Sequence, residues 1–77
     1  MVKSSIEAEL SEAQRRASEG RLHLEHQRRT LDGLRRDGRD IRLAQDLLQT
    51  MLEIQEKYEA EVARLDSELA LRIKADR

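Results

Sequence analysis

Apolar and small residues recur along the chain at alternating steps of three and four, in two uninterrupted runs. The first is Ile6, Leu10, Ala13, Ala17, Gly20, Leu24, Gln27, Leu31 and Leu34. The second is Ile41, Ala44, Leu48, Met51, Gln55, Tyr58, Val62, Leu65 and Leu69. A step alternating between three and four places all members of a run on one face of a helix, as a heptad seam. The runs are separated by Arg36-Asp37-Gly38-Arg39-Asp40. Gly38 suits the left-handed position that closes a helix, and Asp40 suits the N-cap of the next. Ser4 and Glu7 have the spacing of a capping box at the front. These signals predict one helix over about 5–36, a turn at 37–40 and a second helix over about 41–74, making residues 1–77 a single helical hairpin.

Folding the chain back at the turn tests that prediction. With Leu34 opposite Ile41, every seam residue meets another whose number completes 75: Leu24 meets Met51, Gly20 meets Gln55, Ala17 meets Tyr58 and Leu10 meets Leu65. Large residues face small ones at mid-seam, as dense packing requires. The fold class is therefore all-α, an antiparallel two-helix coiled-coil hairpin with arms of roughly 45–50 Å at about 1.5 Å per residue.

Two helices leave apolar surface over. Leu43, Leu47, Leu52 and Ile54 flank the second seam, and a stripe that wide packs against more than one neighbour. Dimerisation into a four-helix bundle, helix two against helix two, would cover it. The expected self-association interface is Leu43, Leu47, Leu48, Met51, Leu52 and Ile54.

Composition limits the chemistry. Of 77 residues 40% are charged, one is aromatic, and there is no Cys or Pro. High charge with few aromatics is also a signature of disorder, but here the charges are mixed in sign and the apolar residues are periodic. Without Cys no disulfide can reinforce so small a core, and a closed zinc or iron–sulfur site has no ligand set. No apolar run reaches about 18 residues, and the N-terminus carries no apolar leader, so the expectation is a cytoplasmic protein without a membrane span.

No catalytic constellation emerges. His23 and His26, with Glu19 and Glu25 nearby, suggest a carboxylate–histidine site, but no Glu-x-x-His motif recurs on helix two. Ser4, Ser5, Ser11, Ser18 and Ser67 have no general base in reach, and Gly33 and Gly38 do not join a strand to a helix as a phosphate loop does. The expectation is a protein that is not an enzyme and needs no cofactor.

Charge is unevenly spread. Residues 15–42 hold nine Arg against five acids, and residues 43–68 hold seven acids against Lys57 and Arg64. Arg21, Arg28 and Arg35 recur every seven residues, with Arg15, Arg29 and Arg36 beside them and Arg39 and Arg42 at the tip. Arginine makes bidentate phosphate contacts, so the alternative function is nucleic-acid binding through Arg28, Arg29, Arg35, Arg36 and Arg39. A pI of about 6.1 and the absence of interleaved aromatics weigh against it. Across the hairpin Arg16 can pair with Glu61, whereas Glu9 near Glu68 and Glu7 near Asp66 oppose like charges. The acidic polar face of helix two has the wrong sign for anionic lipid.

The segments Glu19-Gly20, Gln27-Arg28, Leu31, Leu34, Asp37-Gly38-Arg39-Asp40, Ala44 and Leu47-Leu48-Gln49-Thr50-Met51 resemble a family of short, uncharacterised alphaproteobacterial helical-hairpin proteins. Their turn reads Asp-Gly-His-Asp-Thr, and a Leu-Leu-x-Thr-Phe segment and a Leu-rich helix follow it. The resemblance spans residues 18–70, with Arg39, Ile41 and Met51 standing where His, Thr and Phe are usual. It implies a bacterial helical hairpin and carries over no activity.

The functional expectation is a non-enzymatic module that self-associates and presents charged outer faces to a protein partner. A variant of it is a chain that completes another protein's bundle.

Overall fold

The computed structural model describes residues 5–75. All but five of these lie in two helices, α1 (Ser5–Arg36) and α2 (Arg42–Ala75), packed antiparallel as a hairpin. No described residue lies in a strand. The capping-box residue Ser4 lies outside the described residues.

Every seam residue of both helices is buried or half-buried. The tightest points are Ala17, at 0% exposure, and Leu65, at 1%. Leu10, Ala13 and Leu65 pack together with Val62 and Leu69 at the end away from the turn. Leu10 with Leu65 and Ala13 with Val62 are partners in the register that sums to 75, so the facing pattern read from the sequence is the packing. Burial is lopsided nearer the turn. Leu24 and Leu31 of α1 are buried, but Ala44, Leu48 and Met51 of α2 are only half-covered.

The turn is set by backbone geometry. Gly38 has φ +69°, a region that costs a residue with a Cβ about 1–2 kcal/mol. The Gly38 N–H donates to the Arg35 carbonyl (3.1 Å) and the Arg39 N–H to the Leu34 carbonyl (2.9 Å). This nested pair of bonds is a Schellman closure, which satisfies carbonyls left open at a helix end. Arg35 and Arg36 lie in the last turn of α1, where positive charge suits the helix dipole.

The start of α2 departs from expectation by one residue. Ile41 supplies the carbonyl that accepts the first helical bond, from the Gln45 N–H at 2.8 Å. Ile41 is therefore the N-cap by backbone. Asp40 caps from the position before it, accepting the Arg42 N–H (3.0 Å) and the Arg42 guanidinium (2.8 and 3.1 Å). Those bonds hold the Asp40 carboxyl below its ordinary range, through the guanidinium first and the backbone N–H second.

Glycine substitutions separate backbone strain from helix propensity. Gly33 sits within α1, where an added Cβ would meet only the end of Arg36 at 4.0 Å. Gly33→Ala is expected to raise unfolding free energy by about 0.5–1 kcal/mol, and Gly38→Ala to lower it by about 1 kcal/mol. Urea titrations followed by circular dichroism check both signs.

Candidate interaction surface

Two polar residues interrupt the apolar seam, and each bonds the backbone of the opposite helix. Gln27 Nε2 donates to the Ala44 carbonyl at 3.2 Å. Gln55 Nε2 donates to the Ala17 carbonyl at 2.9 Å and to Glu59 Oε2 at 2.7 Å. Both acceptors belong to alanines, whose short side chains leave the carbonyl approachable. Gly20 completes the second contact. A Cβ there would overlap Gln55 Oε1 and come within 3.0 Å of its Cδ and 3.4 Å of Tyr58 Cδ2. The buried carboxamide fits because Gly20 has no side chain.

Glu59 extends this contact to the surface. Arg21 Nε and Nη2 donate to its two carboxylate oxygens at 2.8 and 2.9 Å, the only ion pair between the helices among the described residues. The remaining described salt bridges are local. Arg15 bonds Glu12 and Glu19, Arg16 lies 3.4 Å from Glu12, Arg64 bonds Glu61 and Glu68, Arg29 lies 3.3 Å from Glu25, and Arg42 bonds Asp40. The Arg21 guanidinium, with Gln55 second, holds the Glu59 carboxyl below its ordinary range.

Arg21 and Glu59 mark one long face of the hairpin, and Arg16 and Glu61 mark the other. The expected interface residues divide between them. Leu48 and Met51 are in the seam, half-buried against α1. Leu52, one heptad from Glu59, is half-buried on the Arg21 face. Leu43, Leu47 and Ile54 lie toward the Arg16 face with 82%, 49% and 42% of their surface exposed. Ile54 borders an open cleft there with Met51, Tyr58, Gln55, Gly20 and His23. The six residues thus form one exposed patch of three, a supporting pair beneath it and a separate Leu52.

Farther from the turn, the Arg16 face becomes charged. Glu9, Glu12, Ala13, Arg16 and Glu61 line a second groove. Arg16 Nε lies 3.4 Å from Glu12, not against Glu61. Glu61 is held below its ordinary range by the bonds from Arg64 and, less strongly, by the Arg16 charge. Arg64 also feels Glu9 while bonding Glu68, which offsets the like-charge approach of Glu9 and Glu68.

Among the described residues, Arg28, Arg35, Arg36 and Arg39 have no carboxylate within 4 Å. The helical repeat sets Asp32 between Arg28 and Arg35 on one side and Arg29 and Arg36 on the other. The stripe is therefore a mixed face with an acid at its centre. His23 and His26 are exposed, and no three potential metal-ligating side chains gather among the described residues. No described helix is long and apolar enough to cross a membrane.

Sequence reasoning missed the Gln55–Glu59–Arg21 chain, although two glutamines facing small residues in an apolar seam were a usable signal. It also missed Leu22, which is exposed on the outer face of α1. No protein-family model, curated protein or solved structure matches the chain.

Two expectations follow from the buried contact. Gly20→Ala gains about 1 kcal/mol of helix propensity but displaces a carboxamide that makes two hydrogen bonds, so a net loss of about 1–2 kcal/mol is expected in chemical denaturation. In a Gln55→Ala background the obstruction is gone, and the same substitution should stabilise. The second expectation concerns acid. Because the Glu59 pKa is lowered on folding, its contribution is present above the unfolded value of about 4.3 and disappears as pH falls through the lower folded value. Thermal melts from pH 6 to pH 2 should therefore fall more steeply for the unchanged chain than for Glu59→Gln.

Proposed function

We propose that this protein is a non-enzymatic interaction module, a helical hairpin that associates with a second copy of itself. The observation behind this reading is the patch of Leu43, Leu47 and Ile54. Three large aliphatic side chains lie together in solvent, above the half-covered part of the α2 seam. Isolated exposed apolar residues are ordinary, but a contiguous group beside an open seam is the usual form of a contact surface.

Nucleic-acid binding through Arg28, Arg29, Arg35, Arg36 and Arg39 has less behind it. Those side chains are exposed, but Asp32 lies among them, and Arg29 is shared with Glu25.

Leu47→Asp and Ile54→Asp test the proposal without attacking the hairpin core, since both side chains are already largely in solvent. Each is expected to weaken association at least about tenfold by placing a charge in an apolar contact, while helicity is retained. Arg29→Ala should change neither property. Light scattering and circular dichroism across a concentration series read both. Unchanged molar mass in the two Asp variants would refute the contact surface.

A further inference from the structure

We infer that the turn is a hinge held shut by Gly38, and that two copies open it to form a swapped dimer of continuous helices. In that form α1 of each copy packs on α2 of the other. It needs none of the apolar contact proposed above. Leu43, Leu47 and Ile54 keep the surroundings they have in the hairpin.

The register permits the exchange. Seam partners in the hairpin have numbers that complete 75. In an antiparallel pair of continuous helices, with the two-fold axis between residues 37 and 38, the same numbers meet again. Gln55 still reaches an Ala17 carbonyl and Arg21 a Glu59, now between copies. The helical phase permits it too. Leu34 and Ile41, the seam residues nearest the turn, are seven apart. Seven residues make about two helical turns, so both seams of an unbroken helix lie on one side and face one partner. Through Leu34, Gly38, Ile41 and Ala44 the steps are four, three and three. The single doubled three is a stammer, which overwinds a coiled coil locally. A linker two residues longer would have turned the seams to opposite sides.

The turn itself is lightly held. Residues 37–40 are exposed, and a Cβ on Gly38 would meet nothing within 4 Å. No Pro bars a helix from running through the segment. Opening gives up the Gly38 and Arg39 bonds to α1 and the Asp40 cap on Arg42, and helical bonds replace them. Because the seam contacts are the same in both forms, the balance lies in the turn and in bringing two chains together. Exchange of an identical element is a low-cost route to a dimer when only the hinge differs. Gly38, at φ +69°, favours the closed form twice over. It takes the left-handed conformation without strain, and it is a poor helix former.

Gly38→Ala tests the hinge. Alanine strains the left-handed turn and gains helix propensity, each worth at least about fivefold per chain, and a dimer opens two turns. The open dimer of this variant is therefore expected to be about 500-fold more favourable than that of the unchanged chain. The stability loss expected above for Gly38→Ala is that of the closed chain. The sequence has no Cys, and Ser18 and Lys57 are exposed at one level of the hairpin, so Ser18→Cys with Lys57→Cys takes two spin labels. Diluted into excess unlabelled Gly38→Ala chain, the labels report the distance within one copy. Their backbones lie about 10–20 Å apart across packed helices and about 58 Å apart along a continuous one.

The long distance, in a species of twice the 9.0 kDa chain mass, is the expected result. The short distance at every concentration, in monomer or dimer, overturns the inference. Gly33→Ala added to Gly38→Ala strengthens α1 and carries the same readings should the single variant lose helicity. Two alanines inserted after residue 38 of the Gly38→Ala chain rotate the second seam by about 200° and should restore the short distance; persistence of the long one also overturns the inference. Leu47→Asp in the Gly38→Ala chain should leave the long distance unchanged, so the swapped dimer and the association proposed above can each fail alone.

Discussion

The register of the hairpin depends on one buried contact, the Gln55 carboxamide seated against Gly20 and bonded to the Ala17 carbonyl. Apolar seams alone tolerate sliding by a heptad, because one leucine layer resembles the next. A buried amide does not tolerate it, since an amide group buried without partners costs about 1–3 kcal/mol. A slip of seven residues would move Gln55 opposite Ala13, whose Cβ takes up the space that Gly20 leaves, or opposite Gln27, where two long side chains would compete. The same slip would take Tyr58 away from Ala17 and separate Arg21 from Glu59. Gln27 against the Ala44 carbonyl repeats the device nearer the turn. Polar seam residues of this kind fix alignment at some expense in apolar burial.

With register fixed, the shape follows, and so does the incompleteness of the core. The hairpin is 60 Å long and 20 by 14 Å across, so the seam is one layer of side chains with solvent close on both sides. Where α1 offers Leu10 and Ala13, it encloses Leu65 completely. Nearer the turn, the α1 residues beside the seam are Arg28, Thr30 and His23. They do not enclose the α2 positions around Leu48 and Met51, and Leu43, Leu47 and Ile54 remain outside altogether. The wide apolar face of α2 and the narrow one of α1 are mismatched in the half next to the turn. That mismatch leaves an exposed apolar patch as a consequence of the fold.

Much of this architecture was legible in the sequence. The steps of three and four gave both seams, Gly38 gave the turn, and the sum rule gave the facing pairs, because each depends on backbone periodicity alone. Asp40 was legible as a cap but not its offset, since capping from one residue earlier requires knowing that Ile41 supplies the first carbonyl. The six proposed contact residues were found by hydrophobicity, without regard to side. The helical repeat puts Leu52 on the Arg21 face and Leu43, Leu47 and Ile54 toward the other, so one wide stripe is in fact two flanks of unequal size. The ion pairs were the least legible. Arg16 could be matched with Glu61 across the seam, but Glu12, four residues back on its own helix, is the carboxylate it lies against.

The charge distribution has a similar logic. Six of the eight described ion pairs join residues three or four apart on one helix, where they cancel charge locally and say little about which helix lies opposite. Such exposed pairs contribute little to stability. Arg21 with Glu59 is different, because it is connected through Gln55 to the buried contact and so depends on the same register. Arg16 and Glu61 are the residues in which local and long-range roles meet. Each has a neighbour on its own helix, yet the Arg16 charge still reaches Glu61 across the seam. Their level is also the first charged one beyond the apolar patch.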